Sequence, residues 1–251
     1  MSCATRHSDD VKRTRPPQPV GPCRWGFPDP DAPDGHGADE HGLVAVGADL
    51  EPSTLVHAYR HAMFPWPHGS RRPTPWFSPN PRGVLPFEKL RIARSLRQRL
   101  RRSGWVATVD ADFTQVIRAC AHPHRDDGTW ITAKMQAAYI ALHEAGWAHS
   151  VEVWDGDDLV GGLYGVQVGG VFTGESMFHR VSDASKVAMI ELVHRLEGGG
   201  GALIDVQLPT PHLASLGAIA IPRVLFVELL RELRDDDVRM TTQRLPVARL
   251  A

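Results

Sequence analysis

The strongest structural signal in the chain is residues 150–177, which read SVEVWDGDDLVGGLYGVQVGGVFTGESM. Three segments in it carry apolar residues in the pattern of β-strands, namely 150–154, 159–166 and 171–177. Asp155-Gly156-Asp157 separates the first two segments and Gly169-Gly170 the last two. Because tight hairpin turns favour such residues, we predict a three-stranded antiparallel meander.

Helices flank this meander on both sides. Thr132 is a good N-cap for a helix that ends at Gly146, and Asp183 is one for a helix over 184–196. A strand over 202–208 follows the second helix. This order predicts an α+β fold on a mixed sheet. The layout resembles the architecture of the GCN5-related N-acetyltransferases.

The chain changes character twice along its length. Residues 1–24 are polar and rich in proline and arginine, which predicts a disordered tail. Residues 25–80 hold many prolines and glycines among short apolar runs, and we interpret them as a small N-terminal domain. The regular pattern of 81–251 predicts the larger, acetyltransferase-like mixed-sheet domain.

The composition excludes several classes of protein. The 251 residues include 28 Lys+Arg, 29 Asp+Glu and 42% hydrophobic residues, which argues against a wholly disordered chain. No apolar run is long enough to span a bilayer, and the N-terminus lacks the apolar segment of a secretory signal. Three cysteines without a Cys-x-x-Cys pair and the isolated His122-Pro123-His124 cluster predict no metal site. We expect a soluble cytoplasmic protein.

Six arginines are crowded into residues 91–102. They are Arg91, Arg94, Arg97, Arg99, Arg101 and Arg102. Ile92, Leu96 and Leu100 are four residues apart, which predicts a helix with one apolar side. Two interpretations stay open, a solvated helix face and a surface that binds a polyanion such as RNA. The second is favoured because residues 89–109 contain no acid, whereas solvated faces usually mix both signs.

Three polar residues are candidates for chemistry. Glu175 ends the third strand of the meander, and Asp205 and Gln207 lie on one face of the last strand because they are two residues apart. Each has an ordinary alternative, since Glu175 could pair with an arginine and the other two could form the polar face of a half-buried strand. Helices on both sides predict a strand covered on both faces, where polar side chains need a partner or a function.

Nine motifs together carry a resemblance to the leucyl/phenylalanyl-tRNA–protein transferase family, in register over about residues 26–230. They are GLVAVGADL at 42–50, AY at 58–59 with FPW at 64–66, WFSPNPR at 76–82, GTWIT at 128–132, HSVEVW at 149–154, GESMF at 174–178, ASK at 184–186, LIDVQ at 203–207 and HLASLGA at 212–218.

The resemblance implies an aminoacyltransferase. Members of this family move Leu or Phe, and sometimes Met, from aminoacyl-tRNA to the α-amine of proteins that begin with Arg or Lys. The new N-terminus marks these proteins for degradation by the N-end rule. The family combines a small N-terminal domain with an acetyltransferase-like domain and uses no acyl-CoA, so no cofactor is expected.

The resemblance also implies roles for individual residues. It places Asp205 and Gln207 beside the acceptor amine, and we assign Glu175 to the cation of the acceptor. We hypothesise that Gln207 orients the amine and that Asp205 polarises Gln207 or supplies a negative field. The 3′ end of the donor is assigned to Trp66, Trp130 and Tyr59, and the tRNA body to the six arginines. The pocket for the donor side chain is assigned to Leu163, Phe172, Met189, Leu192 and Ile204.

The sequence departs from the family pattern at two positions. Leu163 stands where Met is expected and Thr173 where Cys is expected, so the preference among Leu, Phe and Met stays open. Two other functions are weighed as alternatives. An acyl-CoA N-acetyltransferase would show a Gln/Arg-x-x-Gly-x-Gly/Ala turn, which the sequence lacks. A non-catalytic RNA-binding protein would not need Asp205 and Gln207.

Overall fold

A computed structural model describes residues 11–32, 37–67, 72–122 and 129–251. Residues 1–10 of the predicted tail, Pro123 and His124 of the histidine cluster, and Gly128 of the GTWIT motif lie outside the described residues. No helix within the described ranges combines the length and apolarity that crossing a bilayer requires.

Helices and strands alternate along the described part of the chain. The helices are α1 Pro52–Arg60, α2 Arg94–Arg102, α3 Phe113–Ala121, α4 Ala133–Glu144, α5 Ala184–Gly198, α6 Pro211–Ser215 and α7 Arg223–Leu233, with 3₁₀ turns at Phe87–Lys89 and Val247–Leu250. The strands are β1 Leu43–Val46, β2 Phe64–Pro65, β3 Pro75–Phe77, β4 Arg82–Pro86, β5 Val106–Val109, β6 Ala148–Asp155, β7 Asp158–Val168, β8 Val171–His179, β9 Leu203–Gln207, β10 Ile219–Ile221 and β11 Leu245–Pro246.

Two sheets are present in the described part of the chain. The larger has the strand order β10-β4-β9-β8-β7-β6-β5-β11, and the smaller the order β1-β3-β2. The β6–β7–β8 meander is antiparallel, and its turns place Gly156 at φ +60° and Gly169 at φ +57°, conformations that favour glycine. β8 and β9 are parallel because α5 carries the chain back across the sheet. The predicted α+β fold on a mixed sheet is confirmed.

The large sheet is covered on both faces. One core layer includes Tyr139 of α4 and Tyr164 of β7, and it also holds residues of α1, α3 and α7. The opposite layer packs α2 and α5 against β7, β8 and β9, with Phe172 and Ile204 fully buried. Asp205 of β9 is therefore surrounded by protein, as the flanking helices predicted, whereas Gln207 at the end of the strand is half-buried.

Residues 11–18 lie against the body of the protein, which differs from the predicted disordered tail. Thr14 N donates to Met240 O at 2.8 Å, Gln18 N donates to Ala145 O at 2.8 Å, and Trp147 Nε1 donates to Gln18 O at 2.8 Å. Composition predicts disorder because few apolar side chains are present. The order in this segment comes instead from main-chain hydrogen bonds to residues far along the chain.

Residues 25–80 contain α1 and the small sheet. Leu55 and Trp76 belong to the same core layer as Tyr139, so this segment packs directly on the rest of the chain. Arg60 at the end of α1 and Arg234 after α7 each donate to the other's main-chain oxygen at 3.2 Å. These bonds satisfy carbonyl groups at two helix ends at once. The domain boundary at residue 80 stays a prediction.

Candidate active site

The site begins where the parallel strands β8 and β9 separate. Their register runs from Val171↔Leu203 to Thr173↔Asp205 and ends there. Just beyond this point, Glu175 is an extra residue in β8, because Gly174 pairs with Gly165 and Ser176 with Tyr164. Such a bulge redirects a strand and its side chains. A cavity of about 320 Å³ lies between the two diverging strand ends.

The cavity has an apolar part, an aromatic part and a polar part. Its apolar side chains are Pro65, Leu163, Met177, Met189, Val206, Leu208 and Leu213. Its aromatic side chains are Phe64, Trp66 and Trp130, and its polar ones include Glu175, Ser176, Gln207, Thr210 and His212. A mostly apolar cavity with a few converging polar groups is the usual form of a small-molecule site.

The five residues predicted for the donor side chain divide into two groups. Leu163 and Met189 line the cavity. Phe172, Leu192 and Ile204 do not line it, and they are fully buried in the core layer of α5. These three therefore support the wall and do not form its surface. The other apolar residues of the wall were not predicted, namely Pro65, Met177, Val206, Leu208 and Leu213, although all but Leu208 lie within the nine motifs.

The two predicted tryptophans lie at the cavity, but the predicted tyrosine does not. Trp66 and Trp130 are half-buried and line the cavity. Tyr59 is 3% exposed, and its hydroxyl forms a short hydrogen bond with that of Tyr139. Tyr139 in turn donates to Glu175 Oε2 at 3.0 Å. Tyr59 thus lies behind the wall, where its hydroxyl interacts with Tyr139 and with the cavity residue Glu175, because α1 turns its side chain into the core.

Glu175 is a buried carboxyl group at the cavity surface. Gln207 Nε2 donates to its Oε1 at 2.8 Å, and Tyr139 donates to its other oxygen. Burial raises the pKa of Glu175 to about 7, and the nearby charge of Asp205 acts in the same direction. The protonated and ionised forms are therefore both populated at neutral pH. A cation entering the cavity would favour the ionised form.

Asp205 is fully buried and is not part of the cavity lining. Arg82 holds it with a two-pronged ion pair, Nε to Oδ1 at 2.8 Å and Nη2 to Oδ2 at 2.6 Å. Thr173 Oγ1 donates to Oδ2 at 3.0 Å, and Gln207 N donates to Oδ1 at 2.9 Å. Both oxygens of Asp205 are thus occupied by protein donors.

These contacts refine the predicted relation between Asp205 and Gln207. Asp205 contacts the main chain of Gln207, whereas the side-chain amide of Gln207 contacts Glu175. The sequence alone predicts no role for Arg82 or Tyr139. The signal for Arg82 was its place in the motif at 76–82, since an arginine among apolar strand residues needs a carboxylate partner.

The arginine cluster is exposed along α2 and, at Arg91, just before it. All six arginines are exposed, while Leu96 and Leu100 are buried. Arg99 Nε lies 3.0 Å from Asp183 Oδ2, and Lys186 Nζ lies 3.0 Å from Asp183 Oδ1. Lys186 precedes the cavity residue Met189 by one turn of α5. The arginine surface therefore adjoins the helix that lines the cavity.

One group of residues within the described ranges has the types and proximity of metal ligands. Asp110, His143 and His149 bring potential ligand atoms within 4.8 Å of one another. However, His149 Nδ1 is hydrogen-bonded to Asp110 Oδ2 at 2.8 Å, and His143 Nδ1 is hydrogen-bonded to Ala148 O at 2.9 Å. These contacts are those of an ion-pair and hydrogen-bond network, and none of the three residues lines the cavity.

Comparisons with family models and with individual proteins give the same family. The family model described as leucyl/phenylalanyl-tRNA protein transferase matches residues 84–231, and the model of the N-terminal domain of that family matches residues 48–80. A relative from Stutzerimonas stutzeri is 53% identical over 76% of this chain and 85% of its own length. A relative from Thiobacillus denitrificans is 53% identical over 78% of this chain and 86% of its own length. A third, from Nitrosospira multiformis, is 54% identical over 77% of this chain and 83% of its own length. All three are named leucyl/phenylalanyl-tRNA–protein transferase.

Proposed function

The chain belongs to the leucyl/phenylalanyl-tRNA–protein transferase family, and on this basis we propose that it transfers Leu or Phe from aminoacyl-tRNA to protein α-amines, with Met as a further candidate donor. Its acceptors are proteins that begin with Arg or Lys, which the added residue marks for N-end rule degradation. The observation that carries the proposal is the cavity, which places an apolar wall, two tryptophans and a buried carboxyl group side by side.

The finer fold assignment is part of this proposal. We assign residues 81–251 to an acetyltransferase-like domain and residues 25–80 to a small N-terminal domain. A parallel strand pair that separates at its end and opens a site supports the first assignment. We also assign the protein to the cytoplasm, where its donor is available.

The donor end of aminoacyl-tRNA fits the two halves of the cavity. Trp66 and Trp130 stack on the terminal adenosine, an interaction worth roughly 1–3 kcal/mol per base. The Leu or Phe side chain enters the apolar wall of Leu163, Met177 and Met189. Met side chains adapt to differently shaped partners, which suits a wall that accepts both donors.

The chemistry requires positioning more than a strong base. A free α-amine has a pKa near 7.7–8.0, so roughly a tenth of it is neutral at pH 7. The amine nitrogen bonds to the ester carbon, the bond from that carbon to the ribose 3′ oxygen breaks, and a proton passes from the amine to this oxygen. Orientation of two substrates can supply roughly 7–11 kcal/mol of the acceleration. Gln207 orients the amine, while Asp205 acts on Gln207 and does not contact substrate.

Glu175 selects the acceptor. A guanidinium or ammonium group pairs favourably with a carboxylate in a partly desolvated cleft, and Glu175 is the carboxyl group of the cavity lining. Its donors Tyr139 and Gln207 hold both oxygens in place. A contact with the terminal ribose is the competing role for this residue.

The tRNA body binds along α2. Since the enzyme accepts tRNAs of different sequence, the arginines contact phosphates and not bases. Arg99 is the arginine of the six that already has a carboxylate partner in the described chain, Asp183. Arg94, Arg97 and Arg101 point away from the apolar side of the helix and are the main candidates for phosphate contacts.

A transfer assay tests the proposed function. The wild-type chain is incubated with radiolabelled leucyl-tRNA and a peptide that begins with Arg, and the label in the peptide is measured. The same peptide with Ala in first place is the control for acceptor choice, and radiolabelled acetyl-CoA replaces leucyl-tRNA in a third arm. We expect label only with leucyl-tRNA and the Arg peptide. Label from acetyl-CoA alone would instead indicate an N-acetyltransferase.

A further inference from the structure

We propose that Arg82 is a positioning residue for peptide-bond formation, because through Asp205 it fixes the conformation in which Gln207 presents its side-chain amide beside Glu175. This inference rests on the proposed function. Arg82 does not line the cavity, so its effect on the reaction must be indirect.

The guanidinium group of Arg82 is buried and has protein partners around it. Arg82 is 1% exposed, and its guanidinium carbon lies 5.1 Å from the ring centre of Phe64 and 4.6 Å from that of Phe226. Nη1 donates to Ala62 O at 3.0 Å, while Nε and Nη2 grip Asp205. A buried guanidinium with this many partners has one stable placement. It therefore fixes the plane of the Asp205 carboxylate.

The fixed carboxylate of Asp205 in turn holds the main chain of Gln207 in one conformation. Its Oδ1 accepts the N–H of the residue two positions later, which is the arrangement of an Asx turn. Gln207 has φ +61°, a left-handed conformation that residues other than glycine adopt at an energetic cost. Two hydrogen bonds offset this cost, the one from Gln207 N to Asp205 Oδ1 and one from Leu208 N to Val206 O at 2.7 Å, and only the first depends on Asp205.

The conformation of Gln207 determines where its side chain goes. In the left-handed conformation the side chain reaches the cavity, and its Nε2 lies 2.8 Å from Glu175 Oε1. If the grip of Arg82 is loosened, Asp205 can rotate and Gln207 can relax to an ordinary β conformation. Its amide then leaves the cavity, although the cavity walls stay in place. The expected loss is therefore in the rate of the chemical step.

A double-mutant cycle tests this coupling. The variants are Arg82→Lys, Gln207→Ala and the double variant, and the readout is the single-turnover rate of leucine transfer at saturating leucyl-tRNA and Arg peptide. We expect each single variant to slow transfer about tenfold or more, and the double variant to be about as slow as the slower single one. The KM for the peptide should change about threefold at most in Arg82→Lys.

Arg195→Lys is the matched control. Arg195 is also buried and ion-paired, to Glu191 at 2.6 Å, but it lies in α5 away from the cavity lining. The Arg195→Lys variant should lose about as much thermal stability as Arg82→Lys and keep the wild-type transfer rate. If Arg82→Lys does not fold, Thr173→Val replaces it, because it frees the same Asp205 carboxylate at one oxygen. The inference then requires that Thr173→Val slow transfer and that this loss disappear in the Gln207→Ala background.

The outcomes separate the two proposals. If the two rate losses multiply in the double variant, or if Arg82→Lys transfers at the wild-type rate, Arg82 does not act through Gln207 and the inference is wrong. A rate loss in Arg195→Lys equal to that in Arg82→Lys would assign both to general instability and also overturn it. A wild-type chain that transfers no leucine contradicts the proposed function itself, and this inference with it.

Discussion

Replacing Glu175 by Gln should change how the stability of the protein depends on pH. Burial raises the pKa of this carboxyl group from an ordinary value near 4.5 to about 7. Between these two values the folded chain keeps a proton that the unfolded chain releases. The free energy of unfolding therefore falls as pH rises through this interval, and it stops falling once the folded form is also ionised.

The magnitude follows from the size of the interval. At about 1.36 kcal/mol per pH unit, the range from 4.5 to 7 corresponds to about 3 kcal/mol. A glutamine side chain at this position cannot ionise, so the variant escapes this loss. Its amide oxygen can still accept from Tyr139 or Gln207, and a lost hydrogen bond would cost about 1 kcal/mol at every pH. Between pH 5 and pH 8, the free energy of unfolding of the variant should therefore rise by about 2–3 kcal/mol relative to that of the wild type.

Urea unfolding of both proteins at pH 5, 6, 7 and 8 measures this difference. Glu144→Gln is the control, because Glu144 is an exposed glutamate on the same helix as Tyr139. We expect the two proteins with Glu175 to lose stability together as pH rises, while Glu175→Gln loses less. Parallel curves for all three proteins would refute the reasoning, since they would mean that Glu175 ionises in the folded chain without a penalty.

Three further predictions concern activity. Glu175→Gln should raise the KM for an Arg peptide and leave leucyl-tRNA affinity nearly unchanged, as steady-state kinetics and filter binding would show; a loss confined to tRNA binding would assign Glu175 to the donor. Changing Arg94, Arg97 and Arg101 to Ala should weaken leucyl- and phenylalanyl-tRNA binding equally and flatten its salt dependence, while aminoacyl-adenosine reacts as before. Valyl-tRNA should be a poor donor in single-turnover assays because its branch at Cβ clashes near the ester, and rates equal to those of leucyl-tRNA would show that the cavity senses only hydrophobicity.

Local patterns predicted the centre of the fold correctly. The meander formed at the predicted positions, because strand alternation and turn glycines are both determined by neighbouring residues. Thr132 caps α4 through a bond from Met135 N, as its position in the sequence predicted. Asp183 also precedes its helix, but its side chain pairs with Arg99 and Lys186 and makes no cap bond. Glu175, Gln207 and the two tryptophans, to which the family resemblance assigned roles, all line one cavity.

The features that sequence reasoning missed depend on contacts distant along the chain. β4 is short, and its first residue Arg82 has its partner Asp205 at a separation of 123 residues. The neighbouring residues indicate that Arg82 needs a carboxylate partner, but they do not identify which of the acidic residues it is. Tyr59 likewise depends on a distant contact, because its helix turns it toward Tyr139 and away from the cavity. Residues near such a site are found from motifs, but their distances from substrate need the three-dimensional structure.

The separation of β8 from β9 also bears on how one cavity can serve unlike amino acids. Beyond Thr173 and Asp205 the two strands no longer provide hydrogen-bond partners for each other. On the β9 side, Gln207 N donates to Asp205 Oδ1 and Val206 O accepts from Leu208 N. The facing peptide groups of β8 have lost their partner strand and can hydrogen-bond water or a ligand. The ester and amine of a donor are the same for every amino acid, and peptide groups can bind them without reading the side chain. Selectivity then falls to the apolar wall alone, so a substitution at Leu163 or Met177 should change which residue is transferred and leave the machinery of transfer intact.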